Sequence, residues 1–311
     1  MPPLYPSSAS LHFPRFDLSA ARARINAAPE LDRPRLWQES TLVWAESLRD
    51  ALNVSLANAP PQRARDRLDS SPRLIVIAAL PADVSAKWPP FGEWVLNTVL
   101  PFLAPIATIP PWPTVVCFIH DVATFDTYLR DVGRTKQLVP AGAYLSAKDV
   151  LPQIALLGVF PLLELRLYFT HELIHSVIHR PDLPLWIEEG ICRHLEMNQL
   201  RMHNLVYLDH VDLRQARHWK QHNLESFWSG DSFRGEGASE SYVLATRFVR
   251  RLLAETPQCF FDFVQRAHRN DSGNAASLAV FHRPLTDLAA EILGTGNWSP
   301  PPTAPADAPK Q

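Results

Sequence analysis

Two histidines four residues apart flank a glutamate in Thr170-His171-Glu172-Leu173-Ile174-His175. On a helix, positions i and i+4 leave one face about one turn apart, so His171 and His175 can turn two imidazoles toward one metal ion. Zinc suits such donors, and a catalytic zinc takes three protein ligands while keeping a fourth position for water. The pair is therefore an incomplete set. Glu172, next to the first histidine, is placed to act as general base on that water. Independent draws from this composition produce the pattern in roughly one chain in fifty, so its surroundings must carry weight. They are apolar, with Leu173 and Ile174 between the ligands, and ionisable groups on a greasy helix are costly unless paired or metal-bound. The competing reading is a pair of core histidines that only satisfy hydrogen bonds.

A third donor has to come from elsewhere. His179 continues the four-residue series but lies eight residues from His171, about 12 Å along a helix, too far to share an ion. Pro181 stands six residues after His175, where another metalloprotease pattern needs a histidine. Leu185-Trp186-Ile187-Glu188-Glu189-Gly190-Ile191 opens a further helix, and an acidic residue there could fold back against the first.

The elements that would hold these residues fall into two halves. In the first, Trp37, Trp44, Leu48 and Leu52 have the spacing of one helical face between about Arg35 and Ala57. Arg73–Leu80 and Thr114–Ile119 read as buried strands, Trp94–Leu103 and Asp121–Val132 as helices, and Ala141–Ser146 with Pro152–Leu157 as a hairpin. In the second, Leu162–His179, Leu185–Asn198, Ser241–Ala254 and Pro257–His268 read as helices, the last with Thr256 as N-cap and Pro257 as first residue. Residues 199–237, rich in His, Arg, Trp and Ser without a period, read as a long surface loop.

At this point the residues carry a resemblance. His171-Glu172-Leu173-Ile174-His175, followed after thirteen intervening residues by Glu189-Gly190 within Pro184–Ile191, resembles the gluzincin metallopeptidases, closest to the peptidase MA-like group. It is more distantly similar to aminopeptidases with an Asn-Glu-Gly third-ligand motif. The resemblance implies that Glu189, immediately before the glycine, is the third zinc ligand, with Glu188 on another face. It also implies that Tyr242, which opens a later helix ending on Leu252, projects its hydroxyl toward a developing oxyanion; the plain alternative is a core aromatic. The hairpin resembles the family's edge strand, along which an extended substrate would lie by strand addition. Two departures stand out. Arg193 occupies the place where some relatives carry an aspartate that orients a histidine, and His194 and Leu195 replace the aminopeptidase tyrosine.

The expected fold is thus α+β and zincin-like: a small mixed sheet with an antiparallel edge strand in an α/β lobe (34–160), and a mainly helical lobe (161–296). Residues 1–33 form an N-terminal arm and residues 297–311 a Pro/Ala-rich tail expected to be disordered. The expected function is zinc-dependent peptide-bond hydrolysis of a peptide or protein substrate. The alternatives are a catalytically silent binding or regulatory protein of the same fold, and a metal-dependent hydrolase of other substrates.

Composition narrows the classes. The 311 residues are 46% hydrophobic and 20% charged, enough for a large core, and the net charge of −2 gives no basic surface for a nucleic-acid backbone. Phe91–Ile119 and Leu151–Phe169 are interrupted by prolines or charges, so neither reads as a membrane span. Three widely spaced cysteines and no apolar leader fit a reducing compartment, and a cytoplasmic location is expected.

Overall fold

The computed structural model describes residues 13–55, 66–132, 141–146, 151–199, 211–235 and 237–300. The chain is mixed α+β and divides into two compact units, Met1–Thr98 with Ile109–Val177, and Val99–Thr108 with Ile178–Gln311. Among the described residues, no helix is long and apolar enough to cross a membrane.

The first unit contains α1 (Leu18–Asn26), α2 (Arg33–Ser55), β1 (Arg67–Ser70), β2 (Leu74–Ala78), α3 (Ala82–Ser85), most of α4 (Trp88–Leu103), β3 (Thr114–Ile119), α5 (Val122–Asp131), β4 (Gly142–Leu145), β5 (Gln153–Leu157) and nearly all of α6 (Leu162–Ile178). Its five strands form one open sheet in the order β1-β2-β3-β5-β4. The inner three are parallel and each edge strand is antiparallel to its neighbour. The inner strands are buried at every position, as a parallel sheet covered on both faces requires.

Alternation along each strand sorts the two faces. Ile75, Ile77, Val115, Cys117, Ala155 and Leu157 join a core with Trp37, Trp44, Leu48 and Leu52 of α2 and Phe125, Tyr128 and Leu129 of α5. On the other face Phe118 meets Trp88 of α4 at 4.6 Å and stacks on Phe169 of α6 at 6.2 Å. Gly92 of α4 permits this layer to close, since a Cβ there would lie 2.7 Å from Leu74 Cδ1 and 3.0 Å from Phe169. The helix bearing His171 is thereby fixed against the face opposite α2.

The expected strand Thr114–Ile119 and the hairpin are present, the latter pairing Gly142 with Leu156 through to Leu145 with Gln153. Helix α4 begins at Trp88, six residues before the expected start. Pro89 and Pro90 obscured it, although prolines are tolerated in a first turn. Helix α1 was also missed. Its signals were an Asp17 cap that accepts from the Ala20 amide and apolar residues at 18, 21 and 25.

The second unit contains α7 (Leu185–Gln199), α8 (Val211–His222), α9 (Glu225–Ser229), α10 (Ala238–Glu255), α11 (Pro257–Arg266), α12 (Asn274–Phe281) and α13 (Leu285–Leu293). Its centre is aromatic: Trp186 lies 5.5 Å from Phe248, 5.9 Å from Trp228 and 6.1 Å from Phe263 between ring centroids. Trp186 Nε1 donates to Ser272 O, and Trp228 Nε1 to Trp298 O, so the indole donors are satisfied inside the core. Thr256 and Pro257 open α11 as expected.

The expectation of a surface loop over residues 199–237 is corrected by α8 and α9. A polar sequence with no sustained period hides them. The burial of Trp219, Phe227 and Trp228 in this unit's core supplies the stability that local pattern lacks. Residues 200–210 of that segment, and 301–311 of the expected tail, lie outside the described residues.

Candidate metal centre

Helix α6 carries His171, Glu172 and His175 because an apolar stripe, Leu165, Phe169, Leu173 and Val177, turns the opposite positions away from the sheet. His171 and His175 are nonetheless buried, at 9% and 6% exposure. Their Nε2 atoms approach to 3.2 Å, with ring centroids 4.9 Å apart and the planes at 66°. Two imidazole nitrogens at that separation share either a proton or a cation. A tetrahedral zinc with bonds of about 2.0–2.1 Å sets its nitrogen ligands about 3.3 Å apart, so the pair fits the ion as it stands.

Glu172 leans toward edge strand β4. A Cβ on Gly142 would lie 3.4 Å from Glu172 Cγ, ordinary contact distance, and 2.6 Å from Leu156 Cδ2 on the neighbouring strand β5. Ala141 O accepts from Leu157 N, and antiparallel alternation then turns the backbone groups of Gly142 and Tyr144 away from β5. Glu172 therefore stands beside the outer edge of the sheet.

In the helical unit, Glu188 and Glu189 are both buried near the start of α7, at 2% and 8% exposure. Sequence alone left open which carboxylate does what, and Glu188 has a partner. Its Oε1 lies 2.9 Å from His179 Nδ1. His179, too far along the series to join His171 and His175 on one ion, is thus a support for the start of α7. Cys192, fully buried, shares a face with Glu189 one turn further on. Its sulfur is a soft donor of the kind that suits zinc.

Gly190 has a packing reason of its own. A Cβ there would come within 2.6 Å of Ala245 O and 2.7 Å of Val249 Cγ2, so α7 and α10 cross with their backbones in near contact. Tyr242 lies three residues before Ala245, hence on the same side of α10. It is half-buried, with its ring edge-on to Phe233 at 5.3 Å. Glu189 and Tyr242 are thereby carried on two directly packed helices, as His171, Glu172 and His175 are carried on one.

Set beside models of known families, curated proteins and solved structures, the chain matches none of them. The centre stands on its own chemistry.

Arg193 and His194 flank this stretch of α7. Arg193 Nη1 binds Glu196 Oε1 at 2.6 Å, and the glutamate is almost wholly buried, so this arginine is engaged in an intrahelical pair. His194 is pushed down to about 4, by burial first and by the charge of Arg250 second, and is neutral at neutral pH.

Proposed function

We propose that the chain is a zinc metallopeptidase with a zincin-like fold, in which His171, His175 and Glu189 hold the ion and Glu172 is the general base. The observation that carries this reading is the 3.2 Å convergence of the two Nε2 atoms on a helix whose next residue, Glu172, leans on an open-sheet edge strand. When bound, zinc supplies a water acidic enough to lose its proton near neutral pH and polarises a carbonyl. Glu172 takes the proton and passes it to the leaving amine. Tyr242 donates its hydroxyl to the oxygen that gains charge. An extended peptide or protein substrate adds to β4 as a further strand, held by main-chain hydrogen bonds. The free cysteines Cys117, Cys192 and Cys259 accord with a reducing compartment, and the cytoplasm is the proposed location.

The test measures bound zinc and cleavage of a diverse peptide library. The wild type is expected to hold zinc and cleave; Glu172→Gln is expected to keep zinc and lose at least a hundredfold in rate, the scale of general-base removal. Zinc retained with no cleavage by the wild type would point to a binding protein, and chelator-sensitive cleavage of esters alone to a different hydrolase. For the third ligand, Glu189→Ala is expected to weaken zinc strongly, whereas Glu188→Ala leaves zinc bound and lowers stability through loss of His179. Cys192→Ser, run beside them, separates carboxylate from thiolate donation. Zinc lost in Cys192→Ser and kept in Glu189→Ala overturns the proposed ligand set.

A further inference from the structure

Neither the metal set nor the proton transfer proposed above uses Tyr144, which lies on edge strand β4. The end residues of that strand, Gly142 and Leu145, are buried, and the two between them, Ala143 and Tyr144, are half-buried. Among the described residues β4 is the last strand on this side of the sheet, so an added strand would run beside that half-buried pair.

Alternation separates the two. Ala143 and Leu145 pack with the core under α2, which assigns Gly142 and Tyr144 to the opposite face, the one covered by α6. Gly142 lies beside Glu172 there, and Tyr144 follows it at about 6.8 Å, two residues of strand rise.

The register fixes what braces the ring. Tyr144 pairs with the buried Ile154 of β5, at a position where the two backbones exchange no hydrogen bonds, since Leu157 N donates to Ala141 O three residues away. Such pairs bring side chains closest, and an aromatic beside a β-branched residue is a favourable match. Ile154 therefore covers the inner side of Tyr144. On the outer side, a residue of an added strand that pairs with Tyr144 turns its own side chain to the same face, with its Cβ about 5 Å from that of the tyrosine.

We infer that Tyr144 determines specificity: the substrate carries an aromatic or β-branched side chain at the position paired with Tyr144, two residues from the position paired with Gly142 beside Glu172. That side chain covers the outer side of the tyrosine as Ile154 covers the inner. The inference rests on the peptide-hydrolysis reading, with strand addition to β4, and adds to it the class of peptide taken.

A set of capped glycine-alanine peptides, in which one position at a time carries Phe, Val, Ala or Glu, tests it. Their kcat/KM is measured with wild type, Tyr144→Phe and Tyr144→Ala, and their binding to Glu172→Gln is followed by fluorescence anisotropy. At one position the wild type is expected to prefer Phe and Val over Ala by about fivefold, the worth of a favourable cross-strand pair. Tyr144→Phe is expected to keep that ratio and Tyr144→Ala to bring it close to one. A merely structural role would slow all peptides together and leave the ratio standing, and that result overturns the inference. So does a wild type that cleaves the peptides with no such preference at any position. A wild type that cleaves none of them rejects the peptide-hydrolysis reading, and binding then decides this inference separately. The same ratio in Kd, lost when Tyr144→Ala is combined with Glu172→Gln, upholds it, and equal Kd values for all peptides overturn it.

Discussion

A buried imidazole resists protonation for the same reason that a buried carboxyl resists ionisation: water no longer solvates the charge. His194 illustrates this on α7, where burial and then Arg250 hold it down to about 4. Unfolded, it titrates near 6.5. As pH falls below about 6.5 the unfolded chain takes up this proton first, so stability declines through the window down to about 4 and levels off below it. After discounting for its partial exposure the loss is roughly 2–3 kcal/mol. Urea unfolding at pH 7 and pH 4.5 should show a difference that shrinks by that amount in His194→Gln; an unchanged difference rejects the assignment. The same residue scale explains Glu188 and Glu189. Adjacent carboxylates look alike in sequence, yet one is bonded to His179.

At the scale of elements, the crossing of α7 and α10 is the contact most sensitive to a single methyl group. Alanine at 190 gains up to about 1 kcal/mol of helix propensity over glycine, but its Cβ would press on a backbone carbonyl at 2.6 Å, which cannot move aside as a flexible side chain can. Overpacking of this kind typically costs about 1–3 kcal/mol. Gly190→Ala is therefore expected to lower the urea midpoint with an unchanged m-value and, under the proposed ligand set, to weaken zinc by shifting Glu189, its immediate neighbour. A midpoint at or above that of the wild type would mean that the helices separate freely.

The elements also differ in how readable they were. Buried parallel strands announce themselves as short branched runs, and β3 was legible to the residue. Helices α6, α7, α10 and α11 were legible to within a few residues of their ends, since each couples an apolar period to a cap or breaker. Strand β1, Arg67-Leu68-Asp69-Ser70, has no such pattern. It exists because β2 offers it an antiparallel edge. Helix α8 likewise owes its place to one buried tryptophan per several turns of polar residues.

For the whole molecule, three thiols offer a single readout of folding. Cys117 and Cys192 are wholly buried, and burial pushes the Cys117 thiol up to about 12, whereas Cys259 is partly exposed. A thiol reagent at neutral pH should titrate one cysteine rapidly in the native protein and all three in denaturant, because the thiolate is the reactive form and needs access. Rapid reaction of two or three cysteines in the native state would contradict the burial. Cysteine count alone pointed to a reducing environment; which thiol is reachable depends on where β3, α7 and α11 pack.

The pair His171 and His175 was determined by sequence, because helical periodicity is local and an apolar segment with that spacing can place the two rings on only one face. So was the presence of acidic residues at the start of the next helix. Tertiary structure alone decided that the two Nε2 atoms meet at 3.2 Å, that Gly142 of the edge strand lies beside Glu172, and that His179 takes Glu188. Those outcomes depend on rotamers and approaches selected by packing between segments distant in the chain, which no local period encodes.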